Sequence, residues 1–273
     1  MKNRNVSVDL FRFLAALSIM FLHTCWGLDD SLLNAYPIIG IVIGRYPVIL
    51  FFTISGYYCF LQISKGRNAA KTQIRSLLKV YCVWTVVYYL MSFVLNVAAG
   101  HEPVGKFFAE RVLYFFTEGS YPHLWYVVSL IYVMILICLV YELCGEKGIR
   151  ILAAVSMILF MIGVLGTSYL PLGEQIPVLG DFYGWKYYFV FRNIFCLGLP
   201  GVMFGYYIVR LLPVIEKRPK LAETGFFITS VLGMIEGMLV IQKGWISDFP
   251  SMFLMPFVPV SYTHLTLPTT SRV

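Results

Sequence analysis

Polar and apolar positions separate along this chain into blocks, with seven apolar runs of about 20 residues divided by short polar segments. At a rise of 1.5 Å per residue, such a run reaches across a hydrocarbon core some 30 Å thick. The runs lack the two-residue alternation of a membrane barrel, and backbone polar groups in lipid must be satisfied within each segment, so the pattern predicts helices. They are expected near residues 8–28, 38–63, 76–98, 123–144, 149–170, 187–211 and 221–241, with an eighth beginning near Ser251. Between the third and fourth, Phe107, Phe108, Val112, Leu113, Phe115 and Phe116 recur at helical spacing, which predicts a short amphipathic helix lying at the membrane surface. Gly40 and Gly44, Gly201 and Gly205, and Gly233 and Gly237 form small-xxx-small pairs, expected where helix backbones approach closely. The fold class is therefore all-α, a polytopic transmembrane bundle.

Composition agrees with that pattern: 59% of residues are hydrophobic and 13% charged, against roughly 25% charged in soluble domains. The net charge of +7 does not form one basic soluble face, so nucleic acid is not an expected partner. With the N-terminus inside the cell, the inner segments hold Lys2, Arg4, Lys65, Arg67, Lys71, Arg75, Lys79, Lys147, Arg150, Arg210, Lys217, Arg218 and Lys220, whereas the outer loops hold Lys106, Arg111, Lys186 and Lys243. That asymmetry obeys the positive-inside rule and predicts a cytoplasmic N-terminus. The six cysteines are scattered without C-x-x-C spacing, so neither a disulfide framework nor a metal site is expected. The first run carries Asp9, Arg12 and His23 and lacks a small-residue cleavage site, which marks it as a retained helix rather than a signal peptide.

The pattern breaks from Val260, where the chain reads VSYTHLTLPTT. This threonine-rich stretch is unlike anything before it and resembles translated adapter sequence. Residues 260–273 are therefore expected to be a non-native tail on a membrane domain of residues 1–259, with further native helices lost at the C-terminal side.

Ionisable side chains inside a bilayer cost about 2.5–3.5 kcal/mol each, so those within the apolar runs are functional candidates. Arg12 and His23 are eleven residues apart, which at 100° per residue places them on one helix face about 16 Å apart. Asp9 lies one turn below Arg12 and can pair with it. Arg12 has three readings: pairing with Asp9, snorkelling to the interface, or contact with a ligand. Glu236 is a further acid within an apolar run, with no partner evident from sequence.

Four segments carry a resemblance. They are VDLFRFLAALSIMFLH over residues 8–23, FFTISGY over 51–57, the basic and aromatic group Arg75, Lys79, Tyr81 and Trp84 at the start of the third helix, and HLWY over 123–126. In this order, on successive helices, they resemble membrane acyltransferase family 3; RNIFCLGLPGVMFG over 192–205 fits more loosely. The third-helix pair is Arg-x-x-x-Lys where many members of that family show two arginines.

The resemblance implies a family fold of about ten helices, of which seven or eight lie in this chain, in a bacterial cytoplasmic membrane. It also implies transfer of an acyl group, usually acetyl from acetyl-CoA, to a hydroxyl of a cell-envelope carbohydrate or related acceptor. His23 is then the general base, titrating near physiological pH. Arg12, Arg75, Lys79 and Tyr81 are expected on the acyl-CoA side, where guanidinium and ammonium groups suit phosphates. His123 and Trp125 are expected on the acceptor side, with Arg192, Arg45 or Tyr57 as oxyanion donors. Ser55 and Gly56 are expected to serve close packing or a local helix break rather than nucleophilic attack. The expected partners are membrane lipid, the acyl-CoA donor and an envelope glycan; no metal is expected. The alternative is a transporter of protons or a small anionic solute, using Asp9, Arg12, His23 and Glu236 as a relay.

Overall fold

A computed structural model describes residues 6–24, 44–65 and 69–245, and the regular elements among these residues are all helical. The long ones are α1 (Val6–Thr24), α2 (Gly44–Ile63) and α3 (Ala69–Ser92), the last running on through a π-helical turn at Phe93–Ala98. Next come α4 (Val104–Phe116) and the 41-residue α5 (Trp125–Leu165). The short helices α6 (Leu170–Gly173) and α7 (Pro177–Tyr183) follow. Then α8 (Tyr188–Phe191) runs through a π turn at Arg192–Gly198 into α9 (Leu199–Glu216), and α10 spans Pro219–Gln242.

A straight helix as long as α5 would extend roughly 60 Å, twice a bilayer core. It is not straight, because Gly145 has φ 59° and ψ −149°, which ends one helix and starts another. Trp125 packs beside Ile49 and Leu197, while Gly163 lies against Cys196, so both ends of α5 meet the same end of the π turn before α9. The fold-back at Gly145 meets the other end of α9, where Glu146 pairs with Arg210. The element is a helical hairpin of two crossings, as the two separate runs at 123–144 and 149–170 predict.

The centre of the bundle is the contact of α2 with α9. Gly56 faces the backbone of Val202, and Gly201 faces Phe52, leaving no room for a Cβ at either glycine. Thr53 Oγ1 donates to the Gly201 carbonyl at 3.1 Å across the same seam. Gly205 approaches the Gly56 and Tyr57 backbone, so the Gly201 and Gly205 pair does what small-residue spacing predicts. Around this seam, Phe52, Met134, Ile137, Ile149, Leu199 and Met203 form one buried core joining α2, both halves of α5, and α9. Pro200 has no N–H to give to the Cys196 carbonyl, which accounts locally for the widened π turn just before it.

The amphipathic helix expected around residues 107–116 is α4. Phe107 is buried against Phe93, while Phe108, Val112, Leu113 and Phe116 are exposed. Tyr89 Oη donates to the Arg111 carbonyl at 2.5 Å and holds α4 to α3.

Three boundaries differ from expectation. α3 begins at Ala69 rather than 76, because its first two turns leave the apolar run and are tied down by the Lys71–Glu142 ion pair at 2.6 Å. Arg75 and Lys79 therefore sit within a formed helix, not at its start. The fifth run stops at Leu165, and α6 and α7 occupy part of what the pattern left as loop. The expected eighth helix near Ser251, the tail 260–273 and Gly40 lie outside the described residues.

Among the described residues, three helical stretches are long and apolar enough to cross a membrane: Ala70–Ala98, Pro122–Leu165 and Tyr188–Val214. Pro47–Ile63 and Phe227–Gln242 are shorter apolar helices. The chain is a helical membrane bundle.

Candidate functional site

α1 lies antiparallel to α2. Ala15 packs with Leu50, Ile54 and Tyr57, and the Arg12 guanidinium sits 5.4 Å from the centre of the Tyr58 ring. From Arg12, α1 rises toward the end of the bundle where α2 begins and where Trp125 and the π turn meet. His23 is on this helix, about 16 Å beyond Arg12 by helical rise. The side chains of Asp9, His23 and Arg45 lie outside the described residues.

Arg12 borders a set of polar side chains inside the apolar bundle. Tyr126 lies near the Ser55 side chain and close enough to Arg12 to feel its charge. The Tyr126 ring is held by Phe52, with centroids 4.5 Å apart. From α3, Gln73 Nε2 reaches the Ser55 carbonyl at 3.5 Å, a long contact, while Gln73 Oε1 is buried and accepts no hydrogen bond among the described residues. Four helices thus contribute one polar group each: Arg12 from α1, Ser55 from α2, Gln73 from α3 and Tyr126 from α5. Such a grouping is expensive to bury in lipid unless it is used or fully paired. Ser55 and Tyr126 belong to two of the motifs read in the sequence. Tyr58, Gln73 and Tyr126 were not singled out there, because only the folded arrangement brings Tyr58 and Tyr126 to Arg12 and Gln73 to Ser55.

The other predicted residues fall in distinct places. Gly56 serves the α2–α9 seam, and Tyr57 is buried beside it with its ring 5.3 Å from that of Tyr58. Arg75 and Lys79 are exposed on the flank of α3, off the stripe of Gln73, Ile74, Leu77 and Tyr81 that faces the bundle. Tyr81 is turned away from them. Its phenol donates to the Phe115 carbonyl at 2.7 Å and accepts from the Ser120 N–H at 3.1 Å, which fixes the corner between α4 and α5. His123 is exposed at the same end as Trp125, with Nε2 2.8 Å from Tyr88 Oη and its ring against Tyr88 and Tyr121.

Arg192 is buried in the first turn of the π segment. Its Nε and Nη2 donate to Asn193 Oδ1 at 3.3 and 3.1 Å, and its guanidinium lies 4.6 Å from the Phe189 ring centre. Single π turns often mark functional positions, and this one carries a buried cation. Trp125, Arg192, and the ends of α1 and α2 that hold His23 and Arg45 therefore share one end of the bundle. Arg75 lies toward the other end.

Glu236, unpaired in the sequence reading, accepts a hydrogen bond from Tyr169 Oη at 2.8 Å. Burial first, and then the bond and charge of Glu236, push the Tyr169 phenol above its ordinary range and keep it the donor. The pair ties α10 to the turn that follows α5.

Comparison with known proteins adds the family. Residues 5–268 match the family described as an acyltransferase domain. The chain is 28% identical to a serine/alanine racemase of Enterococcus gallinarum over 94% of its length, and 26% identical to an amino-acid racemase of Enterococcus faecalis over all of it. These alignments cover 36% and 37% of the two relatives, so the chain spans little more than a third of their length. No solved structure matches.

Proposed function

Because the chain belongs to acyltransferase family 3, we propose that it carries an acyl group, acetyl in the first instance, from cytoplasmic acyl-CoA to a hydroxyl of an extracytoplasmic envelope carbohydrate. The observation that carries this reading is the placement of Arg12. It stands beside Tyr58 and Tyr126 on the helix that bears His23, between the strongly basic end of the bundle and the end where His23 lies.

In this reading the phosphates of the donor rest at the basic end on Arg75 and Lys79. Its pantetheine arm threads inward past Arg12. The buried Gln73 Oε1 accepts a hydrogen bond from an amide N–H of that arm. The thioester then reaches the level of His23. Neutral imidazole takes the proton of the acceptor hydroxyl as its oxygen bonds to the thioester carbonyl carbon. Arg192, with Arg45 or Tyr57, stabilises the negative oxygen of the tetrahedral intermediate. The carbon–sulfur bond breaks, the CoA thiolate leaves, and the imidazolium returns the proton to it. His123 and Trp125 face the acceptor. Tyr81 serves this site only by fixing α3 beneath the α4–α5 corner. In this orientation the N-terminus is inside a bacterial cell.

Membranes bearing the protein, supplied with radiolabelled acetyl-CoA on the inner side, are expected to accumulate label in the envelope fraction. His23→Ala removes general-base catalysis, worth about 10²–10⁴-fold, without changing the amount of inserted protein. Undiminished labelling by that variant would take His23 out of the reaction.

A second reading keeps transport, with an amino acid in place of the proton or small anion expected from sequence, and is favoured by the relatives being named serine/alanine racemase and amino-acid racemase. Vesicles that take up labelled serine or alanine without consuming acyl-CoA would favour it.

A further inference from the structure

The basic end of the bundle holds a cavity of about 650 Å³ between the end of α2, the fold-back of α5 and the end of α9. None of the steps above uses it. Phe60, Leu61, Ile63, Val209 and Leu212 give it apolar wall, and Glu146, Tyr206 and Arg210 form one polar cluster on it. There Glu146 pairs with Arg210, Tyr206 Oη reaches toward Glu146 Oε1 at 3.5 Å, and the Arg210 guanidinium lies 5.4 Å from the Tyr206 ring centre. Both charged side chains are partly exposed, so the pair is open to a third group.

Three features select the occupant. Arg210 lines the cavity and Arg150 lies close enough to act on Tyr206 beside it, so two cations stand near the one lining carboxylate, which suits a phosphate. Pro213, inside α9, has no N–H for the carbonyl four residues earlier, and that residue is Val209 on the cavity wall. That carbonyl lacks its helical donor, and it and the Glu146 carboxylate, both on residues that line the cavity, suit a donor such as an ammonium or hydroxyl group. The cavity also opens where the apolar part of α2 gives way to Ser64 and Lys65, the level of lipid headgroups.

We propose that this cavity is a binding site for one membrane phospholipid. Its phosphodiester rests on Arg210, its headgroup ammonium or hydroxyl on Glu146 and the Val209 carbonyl, and an acyl chain runs along Phe60, Leu61 and Leu212. A volume of this size falls within the range of sites that enclose small ligands. The site is independent of the transfer reaction, and its failure would leave that reading untouched.

The test is native mass spectrometry of the whole protein, purified in mild detergent and titrated separately with phosphatidylethanolamine, phosphatidylglycerol and phosphatidylcholine. One tightly held phosphatidylethanolamine or phosphatidylglycerol is expected, with phosphatidylcholine, which lacks a headgroup donor, held less well. Arg210→Ala weakens the retained lipid about tenfold through loss of a charge-assisted hydrogen bond. Leu61→Trp, which fills the cavity and leaves the ion pair intact, displaces the lipid and guards against a misfolded Arg210 variant. Equal retention by wild type and both variants would overturn the site. Displacement of the lipid by one equivalent of CoA would overturn it too, by assigning the cavity to the donor.

Discussion

At the scale of single residues, the polar cluster turns on one charge and what surrounds it. Arg12 in a helix facing lipid would cost about 2.5–3.5 kcal/mol, and in this fold it meets the Tyr58 ring and the Ser55–Tyr126 pair instead. Tyr126→Phe keeps the ring on Phe52 and deletes only the hydroxyl. A neutral hydrogen bond from that hydroxyl to a bound donor is worth about 1 kcal/mol, so steady-state kinetics are expected to show KM for acyl-CoA raised roughly fivefold with little change in kcat. An unchanged KM would separate this cluster from donor binding. Gly205 makes a different demand, since any side chain there meets the Gly56 and Tyr57 backbone. Gly205→Ala is expected to cost about 1–3 kcal/mol through overpacking, visible as a lower Tm in detergent. That Arg12 and His23 share one helix was legible because they fall in a single apolar run, and α1 carries both positions. Tyr58, Gln73 and Tyr126 were not, because their meeting depends on how three other helices pack, and no spacing along the chain encodes that.

At the scale of elements, the chain announces its helices by length of apolar run, and it hides those whose ends are held by polar contacts. The two crossings of α5 were legible because Gly145 and the charged residues after it interrupt an apolar stretch. Gly145 is at φ 59° and ψ −149°, where a Cβ is strained even in open space. Gly145→Ala is expected to destabilise by about 1–3 kcal/mol, and a Tm equal to wild type would mean the fold-back does not need glycine. The early start of α3 was missed because Lys71 and Arg75 look like loop residues, and only the Glu142 partner on α5 shows why the helix continues through them. The short helices α6 and α7 were missed for the opposite reason, being too brief and too rich in glycine and proline to leave a period. Tyr81 sits between these cases: its aromatic character matched a motif, yet its phenol is spent on the Phe115 carbonyl and the Ser120 N–H. Tyr81→Phe removes both bonds and is expected to loosen α4, read as faster amide exchange over residues 104–116 with α9 unaffected.

At the scale of the whole molecule, charge and topology give one consistent polarity. Following α2 and α9 to their common end, and α3 back to its start, collects Lys65, Lys71, Arg75, Lys147, Arg150, Arg210 and Lys217 against Glu142, Glu146 and Glu216. The opposite end carries Lys106, Arg111, Lys186 and Lys243 against Glu102, Glu110, Glu118, Glu174 and Asp181. A bilayer with a negative interior potential favours the first end inside the cell. The same polarity is what the proposed reaction requires, since a phosphorylated donor must arrive at the cationic end and the acceptor at the other. The expectation is directly measurable. In a background with Cys82 and Cys144, the described exposed thiols, changed to serine, Lys147→Cys should react with an impermeant maleimide only after cells are opened, and Lys106→Cys should react in intact cells. The reverse pattern would put the cationic end outside, where no acyl-CoA is present, and the transfer reaction would then have to give way to transport.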